Sequence, residues 1–183
     1  SWYPENYNKT FRGPTRLREA LVHSSNLVSV RLLRSIGIDY AMAYMSRFGF
    51  RREQFPRGLS LALGSVMLTP LDLASGYAVF ANGGYRVVPY YIERIRSANG
   101  KIVWEAPAAR CPNCSERESR LDRAISPQNA YLMTSMMADV IRRGTARTAL
   151  ALGREDLAGK TGTTDEWRDA WFSRFNSALL ATA

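Results

Sequence analysis

Five consecutive residues, Lys160-Thr161-Gly162-Thr163-Thr164, gather an ammonium, a side-chain-free backbone position and three hydroxyls into one short stretch. On a strand, the glycine leaves room for a ligand backbone to come close. The N–H groups of a strand edge can receive an extended peptide. Lys160 and the hydroxyls of Thr161 and Thr163 suit a carboxylate. Lys160 to Thr164 therefore read as a wall for a short peptide that ends in a carboxylate. The Lys-Thr-Gly tripeptide alone reads better as a strand end or turn with an exposed lysine, and the context around it is what points to binding. A second group is Ser24-Ser25-Asn26. The Ser24 hydroxyl can relay a proton and the Asn26 carboxamide can bind a substrate amide. The same residues are good N-caps, and a helix starting near Leu27 would use them that way. His23 is read as packed or solvent-facing, with no catalytic role. No serine in the chain is followed by a lysine three positions on, so one common form of activated serine is missing.

The elements that must position these groups are legible from punctuation. Thr15 can cap a helix over Arg16–His23, with Glu19 near its first turn. Ser24-Ser25 interrupts it, and a second helix is expected over Leu27–Ser35, stopped by Gly37. Asp39 is expected to cap a third, Tyr40–Phe48, which Gly49 ends. Thr69 and Pro70 open a helix that Asn82-Gly83-Gly84 stops. Val87–Ile95 reads as a strand. Asn99-Gly100 turns it into a partner strand at Ile102–Trp104. Pro107–Arg123 reads as a polar surface excursion. Ser126-Pro127 starts the longest helix, Pro127–Arg143, closed by Gly144, with a further helical turn over Ala146–Leu152. Leu157–Gly162 is expected as a strand, and Asp169–Phe175 and Asn176–Ala183 as the strand region after it. Residues 1–84 thus form a mainly helical lobe, 85–125 a hairpin and excursion, and 126–183 a helix with the strands bearing Lys-Thr-Gly.

With 183 residues, 46% apolar and 22% charged, the chain has enough apolar material for one globular domain and is not of disordered composition. No apolar run reaches the length of a membrane span. The net charge of +9 favours anionic partners. The arginines are scattered and form no basic block, so nucleic acid is not expected, and a duplex binder built on Arg31 and Arg34 is the weaker alternative. Cys111 and Cys114 admit three readings: a redox pair, half a zinc site, or a small structural disulfide in an oxidising compartment. The disulfide is preferred, because the flanking loop is polar and lacks a βαβ setting. No cofactor and no metal is expected. The chain stops inside the apolar stretch Ala178-Leu179-Leu180-Ala181, so a truncated domain is expected.

Three blocks taken together carry a family resemblance. Gly13-Pro-Thr-Arg-Leu-Arg-Glu-Ala-Leu-Val-His-Ser-Ser-Asn resembles the Ser-x-Asn region of class A high-molecular-mass penicillin-binding proteins. Leu63-Gly-Ser-Val-Met-Leu-Thr-Pro through Tyr77-Ala-Val-Phe-Ala-Asn-Gly-Gly resembles their second block. Gly144-Thr145-Ala146, then Gly159-Lys-Thr-Gly-Thr-Thr and Arg168-Asp-Ala-Trp-Phe, resembles their third. The resemblance implies an α+β fold of the penicillin-binding transpeptidase and serine β-lactamase type, incomplete here, with a helical lobe beside an antiparallel sheet and Lys160–Thr164 on an inner strand. It implies a D,D-transpeptidase that cross-links peptidoglycan stem peptides ending in D-Ala-D-Ala and is a target of β-lactams. Carried over by position, Ser24 shuttles a proton, Asn26 holds the peptide amide, and Lys160 tunes the field and orients Ser24. Thr161 and Thr163 grip the carboxylate, Gly162 and Thr164 complete the wall, and the Thr163 N–H supplies half of an oxyanion hole. The nucleophile would come from the N-terminal remainder of the same protein, anchored at the periplasmic face of the bacterial inner membrane. The other alternative is a non-catalytic module that binds cell-wall peptide or a partner protein.

Overall fold

The computed structural model describes residues 2–106, 122–164 and 169–183. Cys111 and Cys114 lie outside them. Three short helices come first: α1 (Leu17–Val22), α2 (Asn26–Ile36) and α3 (Ile38–Met45). Gly37 separates α2 from α3 with φ of 88°, a conformation that costs glycine nothing. Helix α4 (Pro70–Ala81) carries a reciprocal cap: Thr69 Oγ1 accepts the Asp72 N–H at 3.1 Å, and Asp72 Oδ2 accepts the Thr69 N–H at 3.2 Å. A hairpin follows, β1 (Arg94–Arg96) against β2 (Ile102–Glu105). Ser126 Oγ accepts the Asn129 N–H at 3.2 Å and Pro127 fills the first position of α5 (Pro127–Arg143). The chain then forms an antiparallel sheet in the order β3 (Ala158–Thr163), β4 (Ala170–Phe175) and β5 (Leu180–Thr182).

Helix α5 is the hub. Its Val140 and Ile141 pack with Val22 from α1 and with Ala146, Ala149 and Leu157. Its Met137 meets Ala158 of β3 and Phe175 of β4. Its first turn contributes Ala130 to a cluster with Val79 of α4. A separate cluster of Leu33, Met42, Phe55 and Leu61 closes the helical lobe. Charge reinforces the α1–α5 contact. Arg143 makes a two-pronged pair with Glu19 at 2.7 and 2.8 Å, and Arg18 reaches Asp139 at 3.0 Å. Burial pushes the Asp139 carboxyl up, but the hydrogen bonds from Arg18 and Arg143 outweigh it and hold the group below its ordinary value. Together the apolar seam and the arginine pairs fix where α1 ends, and that end positions Ser24.

Several expectations need correcting. Thr15 does not cap α1. Its hydroxyl donates to the Gly13 carbonyl at 2.9 Å, and Arg16 occupies the cap position without a side-chain bond. Asp39 lies inside the first turn of α3 and pairs with Arg52 at 2.7 Å. Of the expected strand at Val87–Ile95 only Arg94 and Ile95 fall in β1, because residues 87–92 face no partner strand among the described residues and Pro89 lacks the N–H a ladder needs. Among the described residues β3 is an edge of its sheet rather than an inner strand, with β4 on one side only.

Candidate active site

The turn between α1 and α2 bends sharply. The Ser24 N–H donates to the Leu21 carbonyl at 3.2 Å and the Ser25 N–H to the Ala20 carbonyl at 2.8 Å. Ser24 itself has φ of 50°, a left-handed conformation that is uncommon for a residue with a side chain and clusters at functional sites. This geometry leaves the Ser24 side chain exposed on the side that faces β3. There Lys160 Nζ donates to Ser24 Oγ and, at 2.8 Å, to the Thr161 carbonyl. Burial pushes the Lys160 ammonium down to about 8, because a charge leaving water is penalised.

The next residue along β3 continues the constellation. Thr161 Oγ1 lies 2.7 Å from Thr145 Oγ1, which is carried on the turn after α5. Gly162 faces Trp171 across the ladder, and a Cβ added there would meet only Trp171 Cβ, at an ordinary 3.8 Å. The fold therefore has no need of a glycine at 162, and the open space lies on the ligand side. Thr163 is exposed opposite Ala170. Thr164 holds the turn into β4: its N–H donates to the Asp169 carbonyl at 3.0 Å, and its hydroxyl accepts the Asp169 N–H at 2.8 Å. A cavity of about 960 Å³ runs along this strand, lined by Lys160, Thr161 and Thr163 on one wall and by Tyr44, Leu61 and Met133 on the others. That is the scale of a small-molecule or peptide site.

Residues 1–170 match the family described as the penicillin binding protein transpeptidase domain. The chain belongs to that family. Penicillin-binding protein 1A of Pseudomonas aeruginosa is 43% identical over 99% of this chain, which corresponds to 27% of that protein. A crystal structure of penicillin-binding protein 1A from Haemophilus influenzae superposes with a TM-score of 0.88 at 35% identity, covering 99% of this chain and 31% of that one. Penicillin-binding protein A from M. tuberculosis, solved as an imipenem acyl-enzyme complex, gives 0.74 at 26% identity, covering 96% and 42%. The chain thus spans about a quarter of the length of the curated relatives it matches. The α+β transpeptidase fold expected from the sequence is borne out.

Within this transpeptidase domain, Ser24, Lys160 and Thr161 are brought together across two elements separated by more than a hundred residues. Neither Ser24 nor Asn26 is among the residues lining the cavity, although Ser24 is tied to it through Lys160. Asn26 opens α2, and its Nδ2 donates to the Glu5 carbonyl at 2.8 Å. Nor do Ser24, Ser25 and Asn26 cap the helix with their own side chains. Asn6 supplies that service: its Oδ1 accepts the Leu27 N–H at 3.2 Å and the Ser25 hydroxyl at 3.3 Å. Asn6 lies outside the helices and strands, and nothing local marks it as a cap for a helix twenty residues later. Thr145 was legible only as part of a family block. The signal that could have singled it out is the glycine before it, which marks a close backbone approach. His23 lies 3.8 Å from Glu19 and points back along α1.

Proposed function

We propose that this chain is the substrate-holding part of a serine-type D,D-transpeptidase, whose nucleophile resides in the N-terminal remainder of the same protein. The observation that carries the reading is the contact from Lys160 to Ser24, made beside the Thr161 hydroxyl at the edge of an open strand. An extended stem peptide can lie along β3 and bond to its free backbone groups. Its terminal carboxylate meets the hydroxyls of Thr161 and Thr163 near the Lys160 charge. Gly162 lets the peptide backbone close in, and Thr164 keeps the strand end in place. Asn26, assigned to the peptide amide by the family resemblance, would reach it from beyond the cavity lining with the part of its carboxamide that Glu5 leaves free.

The serine oxygen adds to the penultimate carbonyl, and the Thr163 N–H stabilises the charge that builds on the carbonyl oxygen. The C–N bond to the last D-Ala breaks as Ser24 passes a proton to the leaving nitrogen. An amine of a neighbouring strand then takes the acyl group and releases the serine. A β-lactam enters the same way, as in the imipenem acyl-enzyme of penicillin-binding protein A. The protein works at the periplasmic face of the inner membrane. This reading includes a membrane anchor elsewhere in the same protein; among the described residues no helix is long and apolar enough to cross a membrane.

Fluorescent penicillin tests this. The complete protein is expected to become covalently labelled, and the chain of residues 1–183 alone is not. Labelling of the isolated chain would place the nucleophile within it and overturn the assignment. A complete protein that binds stem peptide but never labels would leave a binding module. The pH dependence is also fixed. The Lys160 ammonium is present below about 8 and lost above it. Acylation is expected to fall as pH rises through that value. Lys160→Arg, whose guanidinium keeps its charge, is expected to abolish this fall. A profile that drops at the same pH in both proteins would assign the titration elsewhere.

A further inference from the structure

We propose that Thr145 is a positioning residue of the donor-carboxylate site, holding the Thr161 hydroxyl so that its proton points at the bound carboxylate; this rests on the transpeptidase reading above. The two hydroxyl oxygens are 2.7 Å apart, and either can donate. A carboxylate accepts hydrogen bonds only. When it binds, it accepts a hydrogen bond from the Thr161 O–H, and the Thr145 O–H must then turn to donate to the Thr161 oxygen. The pair becomes a directed chain, Thr145 O–H to Thr161 O–H to carboxylate. Each bond in such a chain polarises the next.

The backbone explains why Thr145 is there. The Thr145 N–H donates to the Val22 carbonyl at 3.3 Å, and the Gly144 and Ala146 N–H groups both donate to the Val140 carbonyl at 3.1 Å. A Cβ on Gly144 would sit 2.4 Å from the Val22 carbonyl oxygen, so the turn can press this closely onto α1 only with glycine at 144. Val22 is two residues before Ser24. The contacts therefore close a ring: Val22 to Thr145, Thr145 to Thr161, Lys160 to Ser24, and along the chain back to Val22. Thr145 is exposed while its neighbour Ala146 is buried, so core packing sets the turn and leaves the Thr145 side chain outside it. A valine would occupy the same volume there without the proton.

The test uses the complete protein with penicillin G and its methyl ester, which lacks the carboxylate charge. The wild type is expected to acylate faster with the acid. Thr145→Val is expected to lower the acid rate about five- to tenfold, the loss of one hydrogen bond to a charged group's donor. It should leave the ester rate within about twofold. Thr145→Ser should restore the preference, and Thr161→Val serves as the reference for a damaged carboxylate site. If Thr145→Val keeps the wild-type ratio of acid to ester, or lowers both rates equally, the inference fails and the transpeptidase reading stands. If the wild type does not favour the acid, the carboxylate site and this inference fall together. If the wild type reacts with neither compound, the transpeptidase reading itself falls.

Discussion

Lys160→Ala in the complete protein is expected to slow penicillin acylation by at least about a hundredfold without loosening the fold. Two contributions disappear at once. The ammonium no longer faces the incoming carboxylate, and Ser24 loses the donor that ties its hydroxyl to β3. Stability should not fall, because burial already disfavours the Lys160 charge. The direction can be checked against pH. Between about 8 and 10.5 an unfolded chain still binds the proton that the folded chain has released. Stability linked to Lys160 therefore rises with pH across that window. The wild type is expected to show this rise in chemical denaturation and Lys160→Ala is not. Near-normal acylation in the alanine variant would remove Lys160 from the site, whatever its effect on stability.

Much of the scaffold was legible because its signals are local. Thr69 with Pro70 and Ser126 with Pro127 are caps whose donors and acceptors lie within three residues, and both helices begin where those residues place them. Gly37 and Gly49 end their elements with φ of 88° and 97°, as side-chain-free stops should. The Lys160 strand was readable for a different reason: the tripeptide alone is ambiguous, but the flanking hydroxyls and the order of the three family blocks give it a binding role. Its meeting with Ser24 was implied by the family resemblance and by no local pattern. That Ser24 lies under Lys160 follows from α1 and β3 both packing on α5, through Val22, Val140 and Leu157.

What escaped the sequence reading depends on chain segments that meet only in the fold. Ser24-Ser25-Asn26 has the right chemistry for a cap, and an N-cap was the natural competing use for it. The structure hands that task to Asn6, which frees the Ser24 hydroxyl for Lys160. The same N-terminal strap takes one amide proton of Asn26 through Glu5, so the carboxamide is held in one orientation before any ligand arrives. The strand expected at Val87–Ile95 is mostly not formed because β propensity describes a side chain that fits a sheet, and among the described residues only β2 is present to pair with its last part. Among the described residues Lys160–Thr163 lie on an edge strand, a matter of topology that no local pattern encodes.

Two glycines three residues apart on β3 are expected to respond oppositely to the same methyl group. At Gly159 a Cβ would stand 2.5 Å from the Ser173 carbonyl oxygen and 2.9 Å from Arg174 Cα, both backbone atoms of the neighbouring strand. Neither can move without opening the β3–β4 ladder, in which Gly159 faces Arg174. Gly159→Ala should therefore destabilise the complete protein by about 2–4 kcal/mol, seen as a lower melting temperature, with loss of activity following loss of fold. At Gly162 the same Cβ meets only Trp171 Cβ at 3.8 Å, so the fold accepts it, and alanine is better tolerated than glycine in a strand. Stability of Gly162→Ala should stay within about 0.5 kcal/mol of wild type. Its penicillin acylation should nevertheless fall on the order of tenfold, because the methyl stands where the ligand backbone approaches. A Gly162→Ala protein that is stable and fully reactive would mean the ligand does not run along this edge. An equally stable Gly159→Ala protein would mean β3 and β4 are not held in the register seen here.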